Sequence, residues 1–191
     1  MSEPQVHLTV KAFDGIASLQ DEGRYGHETS GVPNSGAWHR HRFHEANFLA
    51  ANSSNTPAIE LLAGTISLTN PTCASVCVAV TGVAHVRISD RGDSQSVPTD
   101  HSTPLHQDAC ITVQHLGPGP VYIALHGLEP PTILGSASEC SLSGIKPLAL
   151  GASTQILCRA SDAPPRFIRG GRMGDRKSTR LNSSHQIISY A

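Results

Sequence analysis

The stretch "QVHLTVKAF", residues 5–13, sets Val6, Leu8, Val10 and Ala12 in alternation with polar neighbours. Successive side chains of a strand point to opposite faces, so this period of two predicts a half-buried β-strand. Residues 20–37, "QDEGRYGHETSGVPNSGA", then lose the pattern, with four glycines, a proline and almost nothing apolar. "AWHRHRFHEANFLAAN" lacks Gly and Pro and puts Phe43, Ala46 and Ala50 on one helical face. That predicts a helix over residues 37–50, with Ser35 or Asn34 capping its start. Strand signals follow in "AIELLAG", "TISLTN", "SVCVAVTG", "HVRISD", "ACITVQHL" and "VYIALHG". "DRGD" at 90–93 and "GPGP" at 117–120 supply turns, and the Arg-Gly-Asp triplet reads as a hairpin tip. Short strands at this spacing with one early helix predict a mainly β barrel or sandwich. From about Ala160 the chain loosens into "ASDAPPRFIRGGRMG", a linker or the entry to a further strand.

Composition supports that picture. Aromatics make up only 4% of the 191 residues, whereas there are 17 Gly and 13 Pro, so the core must be built from Val, Ile, Leu and Ala between many turns. The formal net charge is −1 and no element carries a basic face, which argues against nucleic acid as a partner. No apolar run approaches the roughly 18 residues that suggest a membrane span. "MSEPQVHLTV" has no basic-then-apolar leader, and the expected location is the cytoplasm. Five cysteines at irregular spacing do not make a disulfide framework. Cys73 and Cys77 lack a second pair for zinc, so the cysteines read as small buried thiols.

The last segment, "DRKSTRLNSSHQIISYA" from Asp175 to Ala191, departs from everything before it. It matches the in-frame translation of a common sequencing-library adapter and is expected not to be native. Setting it aside removes Arg176, Lys177, Arg180 and Asp175 and moves the net charge to −3. The expected organisation is therefore a domain over residues 1–159, a linker or start of a second half over 160–174, and a non-native tail over 175–191.

Several constellations could carry chemistry. In the glycine segment Asp21 and Arg24 lie three apart and could pair with each other or point at a ligand. The segment fits neither a Walker loop nor a dinucleotide fingerprint. A ligand loop and a structural Ω-loop both suit it. His39, His41 and His44 crowd "HRHRFH", but only His41 and His44 share a helical face, so a solvated surface is expected and no metal is assigned. "LGSASECS" at 134–141 offers hydroxyls and amides that could hold an anion, or it is an ordinary loop. There is no Gly-x-Ser-x-Gly elbow.

In order, "IASLQDEGRYGHETSGVPNSGA", "HEANFLAAN", "AIELLAGTISL", "AVTGVA" and "ILGSASECSLSGI" resemble the N-terminal half of the allophanate hydrolase subunit 2 family. This family is also called biotin-dependent carboxyltransferase-like and includes proteins similar to the C subunit of 5-oxoprolinase. The resemblance runs from about Val6 to about Leu150 and rests on two motifs, Gln-Asp-x-Gly-Arg-x-Gly (20–26) and Gly-Val-Pro-x-x-Gly-Ala (31–37). It implies a cyclophilin-like β-barrel with one early helix, here ending before the second of two related halves that flank the active cleft. Carried over, it makes Asp21, Arg24 and Glu60 the catalytic candidates. Gln20, Gly26, Gly31, Pro33, Gly36, Asn47, Thr81, Gly82, Ser136 and Ser138 become the substrate-binding candidates. Trp38 and His39 stand where the family has a hydrophobic residue and then Asp. Ala50-Ala51-Asn52 stands for Val-Gly-Asn, Ala137 replaces an Arg, and Glu139 replaces a Thr. The resemblance implies an ATP-dependent 5-oxoprolinase-like amidohydrolase opening 5-oxoproline to glutamate, or a related biotin-dependent carboxyltransferase. Such a protein would work on a small amide or lactam with two partners, one subunit-1-like (the B type) and one of the A type. This chain alone is expected to be inactive. The alternative is a non-catalytic regulatory partner of a subunit-1-like kinase inhibitor.

Overall fold

The computed structural model describes residues 4–161 and 163–168, together with the backbone of 189–190. Strand β1 (Gln5–Gln20) is followed by helix α1 (Arg40–Leu49), then β2 (Ala58–Thr69), β3 (Val76–Thr81), β4 (Ala84–Asp90) and β5 (Asp93–Val97). After these come β6 (His101–Leu105), β7 (Cys110–His115), β8 (Val121–Leu125), β9 (Gln155–Arg159), β10 (Arg166–Phe167) and β11 (Ser189–Tyr190). All pairings are antiparallel, in the order β11-β10-β6-β3-β8-β2-β7-β4-β5, with β1 on β2 and β9 on β1. The chain is mostly β with one early helix, its sheet curled into a half-barrel.

The curl originates at two glycines. Strand β2 gives residues 59–61 to β8 and residues 65–69 to β7, and between them Gly64 lies opposite Gly15 of β1. Both have positive φ, 87° and 140°. A Cβ on Gly15 would stand 2.1 Å from the Ala63 oxygen, and one on Gly64 would stand 2.0 Å from the Asp14 oxygen. Only glycine permits that approach. "AIELLAG" and "TISLTN" are therefore one bent strand, not the two the sequence suggested, and β1 continues past Phe13 to Gln20 alongside it.

Alternation builds the core as expected. Val6, Leu8 and Val10 of β1 are fully buried and pack with Ile66, Leu68, Val78, Val113, Ile123 and Ile156. Each such aliphatic side chain contributes roughly 1.5–3 kcal/mol on burial. Strand β3 is buried along its whole length because helix α1 covers its outer face. Ala79 and Ala124 on that face are small enough for Phe43, Ala46 and Leu49 to settle on them, and Tyr122 stands edge-on to Phe43.

The helix starts later than expected, and its cap is His39 rather than Ser35 or Asn34. Ser35 and Gly36 both have left-handed φ, 57° and 99°, so the chain is still turning where a cap would have to be extended. "DRGD" is a hairpin tip, with Arg91 and Gly92 between the paired Asp90 and Asp93. Strands β5, β6 and β9 lacked a clear sequence pattern, because β5 and much of β6 are polar. Cys77, Cys140 and Cys158 are buried, but Cys110 is half-buried and Cys73 exposed, so these two depart from the expected buried thiols. Of the expected non-native tail, all but the backbone of Ser189 and Tyr190, paired with β10, lies outside the described residues.

Candidate functional site

The glycine segment leaves the end of β1 and folds back on itself. The Ala37 N–H donates to the Asp21 carbonyl, closing the loop at its neck. A Cβ on Gly36 would lie 2.8 Å from the Glu22 oxygen, and one on Gly23 would lie 2.9 Å from the Ser35 oxygen. Gly23 and Gly36 therefore allow the two arms to touch. Gly26 and Gly31 meet nothing within 4 Å, and the turn between them, with Pro33, lies on the surface.

Below the neck lies a polar lock, in which the buried Arg24 Nη1 and Gln20 Oε1 are without a hydrogen-bond partner among the described residues. Asp21 is buried, and its Oδ1 accepts from the Gly23 N–H (2.8 Å), Ser136 Oγ (2.7 Å) and Ser138 Oγ (2.6 Å). Its Oδ2 accepts from the Ala137 N–H at 2.7 Å. Arg24 is 1% exposed; its Nε donates to the Ile133 carbonyl (2.9 Å) and its Nη2 to the Ser138 carbonyl (2.9 Å). Gln20 donates to Ser18 Oγ and the Glu139 carbonyl. Gln20, Asp21, Arg24, Ser136 and Ser138 are thus brought together. Asp21 and Arg24 neither pair as a simple ion pair nor point outward; both reach inward onto the 133–138 loop. The glycine–serine loop does hold an anion, and that anion is the Asp21 carboxylate.

A second group gathers at the start of helix α1. Glu60 of β2 lies directly opposite Tyr122 of β8 and accepts its hydroxyl on Oε2 at 2.6 Å. The same oxygen accepts the Trp38 N–H at 2.8 Å, and the His39 N–H donates to the Tyr122 oxygen at 2.7 Å. The carboxylate thus takes the N–H of the residue before the cap, and the Tyr122 hydroxyl takes the N–H of the cap residue His39, which the helix itself leaves without a partner. Burial, together with the hydrogen bond to Glu60, pushes the Tyr122 phenol well above its ordinary range. Among the described residues no group donates to Glu60 Oε1. Thr81 of β3 donates to the Arg42 carbonyl at 2.9 Å, and Gly82 begins the turn into β4. Tyr122 escaped the sequence reading because it sits in an apolar run; its only signal is a lone hydroxyl at the helix-facing phase of β8.

Asn47 stands apart from both groups. It donates to the Thr56 carbonyl and accepts from Asn52, bracing the exit from the helix. On the surface, Glu22 contacts His44 and Arg40, Arg40 contacts the Tyr25 hydroxyl, and His41 pairs with Glu45 at 3.2 Å. Hydrogen bonds from Ser143 and Ser35 draw the Cys140 thiol down to about 7. Eight large hydrophobic side chains are exposed among the described residues. Five of them, Tyr25, Trp38, Ile133, Leu134 and Leu142, lie on or beside the two locked loops.

The family model for the carboxyltransferase domain, subdomain A and B, matches residues 30–187, and the chain belongs to that family. It is 29% identical over 131 residues to urea amidolyase from Saccharomyces cerevisiae, covering 67% of this chain and 7% of that protein. It is also 29% identical over 130 residues to the C subunit of 5-oxoprolinase from Escherichia coli, covering 67% of this chain and 40% of that one. The chain thus spans less than half the length of either relative. Among solved structures it resembles K. lactis urea amidolyase, with a TM-score of 0.72 at 23% identity over 85% of this chain and 10% of that one. TTHA0988 gives a TM-score of 0.69 at 24% identity over 88% and 62%. The chain is a carboxyltransferase-like domain related to urea amidolyase and to that 5-oxoprolinase component. No helix among the described residues is long and apolar enough to cross a membrane.

Proposed function

We propose that this chain is part of one component of an ATP-dependent 5-oxoprolinase-like amidohydrolase, and that it acts on a lactam together with A-type and B-type partners. The observation that carries the reading is Glu60, a buried carboxylate whose Oε2 is fixed by Tyr122 and the Trp38 N–H while Oε1 has no donor among the described residues. A carboxylate held in this way suits a general base. Oε1 takes a proton from the water that adds to the lactam carbonyl and returns it to the ring nitrogen as the C–N bond breaks, leaving a free amine and a carboxylate. Asp21 and Arg24 serve this reading as braces: both Asp21 oxygens and the Arg24 Nε and Nη2 are engaged within this loop pair, while the buried Arg24 Nη1 is without a hydrogen-bond partner among the described residues. The phosphates of ATP find no cradle in that loop, whose hydroxyls and Ala137 amide are already committed. This reading leaves nucleotide, and biotin in a carboxyl-transfer branch, to the partners, and no step here runs through them.

The test is to co-express the chain with A-type and B-type partner proteins and follow glutamate release from 5-oxoproline. The expected result is ATP-dependent turnover by the complex, falling by about 10²–10⁴-fold in Glu60→Gln with assembly intact. An assembled complex without turnover, or full activity in the variant, overturns the reading. One observation favours the regulatory alternative. The exposed hydrophobics gathered on the locked loops suit a docking face for a kinase-inhibitor-like partner. An assembled but inactive complex would shift the conclusion to that role.

A further inference from the structure

The C-terminal end of helix α1 opens on a cleft that the reading above does not use. It holds about 300 Å³ and lies between residues 51–57, the turn from His126 to Glu129, and Arg159 of β9. Its frame is tightly specified. Ala51 takes a left-handed φ of 57°, which turns Asn52 inward. Asn52 donates to Asn47 Oδ1 and the Leu125 carbonyl, both at 3.0 Å, and accepts the Gly127 N–H at 2.9 Å. A Cβ on Gly127 would come within 2.6 Å of Cβ and Cγ of Arg159, so glycine at this point lets the arginine stem lie across the turn. The Arg159 N–H bonds the His126 carbonyl and the Glu129 N–H bonds the Leu157 carbonyl, fixing both backbones.

The helix end contributes little charge. The Asn47 carbonyl accepts from the Asn52 N–H, the Phe48 carbonyl from the Ala51 N–H and Arg166, and the Ala50 carbonyl bonds His126 Nδ1. The charges come instead from Arg159 and Glu129, which pair side by side while 43% and 41% exposed. A pair this exposed contributes little net stability, so exchanging it for contacts to a ligand costs little. A ligand of one sign would strip one member of its partner, whereas a ligand carrying both signs replaces both halves of the pair. The Ser53 and Thr56 hydroxyls, 2.9 Å apart, line the cleft as well.

We propose that this cleft binds a free polar α-amino acid as its zwitterion. The carboxylate lies on the Arg159 guanidinium, the ammonium on Glu129, and the side chain reaches towards Ser53 and Thr56. The assignment stands on the cleft alone and does not depend on the lactam reading. It is tested by titrating the full chain in turn with serine, asparagine, glutamine and glutamate, followed by calorimetry or amide resonances. At least one should bind saturably. For the best of them, the analogue lacking the ammonium and the analogue lacking the carboxylate should each bind at least tenfold more weakly. Arg159→Ala and the isosteric Glu129→Gln should each weaken binding at least tenfold while the fold is kept, and Leu116→Ala, at an exposed position outside the cleft, should leave it unchanged. Failure of all four amino acids to bind overturns the proposal. Equal binding of the ammonium-free analogue reduces the cleft to a simple anion site and also overturns it, as does unaltered affinity in both variants.

Discussion

Asp21 and Glu60 are both buried carboxylates, and the regions around them differ in what they leave over. Around Asp21 four donors reach both oxygens, and Arg24 holds the facing loop by its carbonyls. Around Glu60 two donors reach one oxygen. A buried charge needs partners, but a charge whose two oxygens are both engaged has less to offer a substrate than one with a whole oxygen to spare. The first region is a strut joining two loops distant in sequence. The second is a strut with spare capacity, standing where the helix start, β2 and β8 meet.

The largest expected effect tests the strut. Asp21→Ala leaves Ser136, Ser138 and the Ala137 N–H buried without their acceptor. It should cost about 3 kcal/mol, lowering the melting temperature by roughly 6–12 °C. Denaturant unfolding of the variant checks this. A loss no larger than that of Glu60→Gln would erase the distinction between the two regions.

Tyr122→Phe probes the second region. It removes the donor to Glu60 and the acceptor of the His39 N–H, for an expected cost of about 1–2 kcal/mol. The same hydroxyl sets a pH dependence. Its folded pKa is raised, so the folded state favours the neutral phenol. That stability is fully present below the unfolded tyrosine value of about 10. Above it the unfolded chain ionises first, and stability falls by about 1.4 kcal/mol per pH unit. Unfolding measured from pH 8 to 11 should show a steeper alkaline loss in the parent than in Tyr122→Phe. Parallel curves would mean that the phenol is not perturbed as described.

The contrast between the two regions also marks how far the sequence could be read. The strand alternation of Val6, Leu8 and Val10 was visible because one face is wet and the other buried. Strand β3 was visible as an apolar run, but that both its faces are covered depends on where the helix lands. The motifs named Asp21, Arg24, Ser136 and Ser138, but not their geometry, because a lock between residues more than a hundred positions apart leaves no local period. Inward and outward orientations of Asp21 are the same in sequence. Tyr122 was hidden for a related reason: its function is defined by the cross-strand neighbour Glu60, which pairing alone supplies.

Two departures from the family pattern become readable in the structure, one at each end of the helix. At its exit Ala51 occupies a left-handed φ of 57° where the family pattern has Gly. A Cβ in that region is strained by about 1 kcal/mol, so Ala51→Gly should stabilise the chain by about that amount. Chemical denaturation reads the gain, and no gain would mean that the turn has already relaxed.

At its start His39 stands where the pattern has Asp, and its Nδ1 accepts the Arg42 N–H at a long 3.4 Å. An aspartate accepts such a bond better and adds a negative charge beside the positive end of the helix dipole. Glu60 is already there, fixed by the neighbouring Trp38 N–H, and the two carboxylates would repel. These terms oppose each other, so His39→Asp should stabilise by only about 0.5 kcal/mol, the smallest effect of the set. The double variant His39→Asp with Glu60→Gln removes the repulsion and should gain more than the sum of the single changes. A cycle of the two changes measures that coupling. Strict additivity would mean that Glu60 carries no charge sensed at the helix start, and so would remove it as a base.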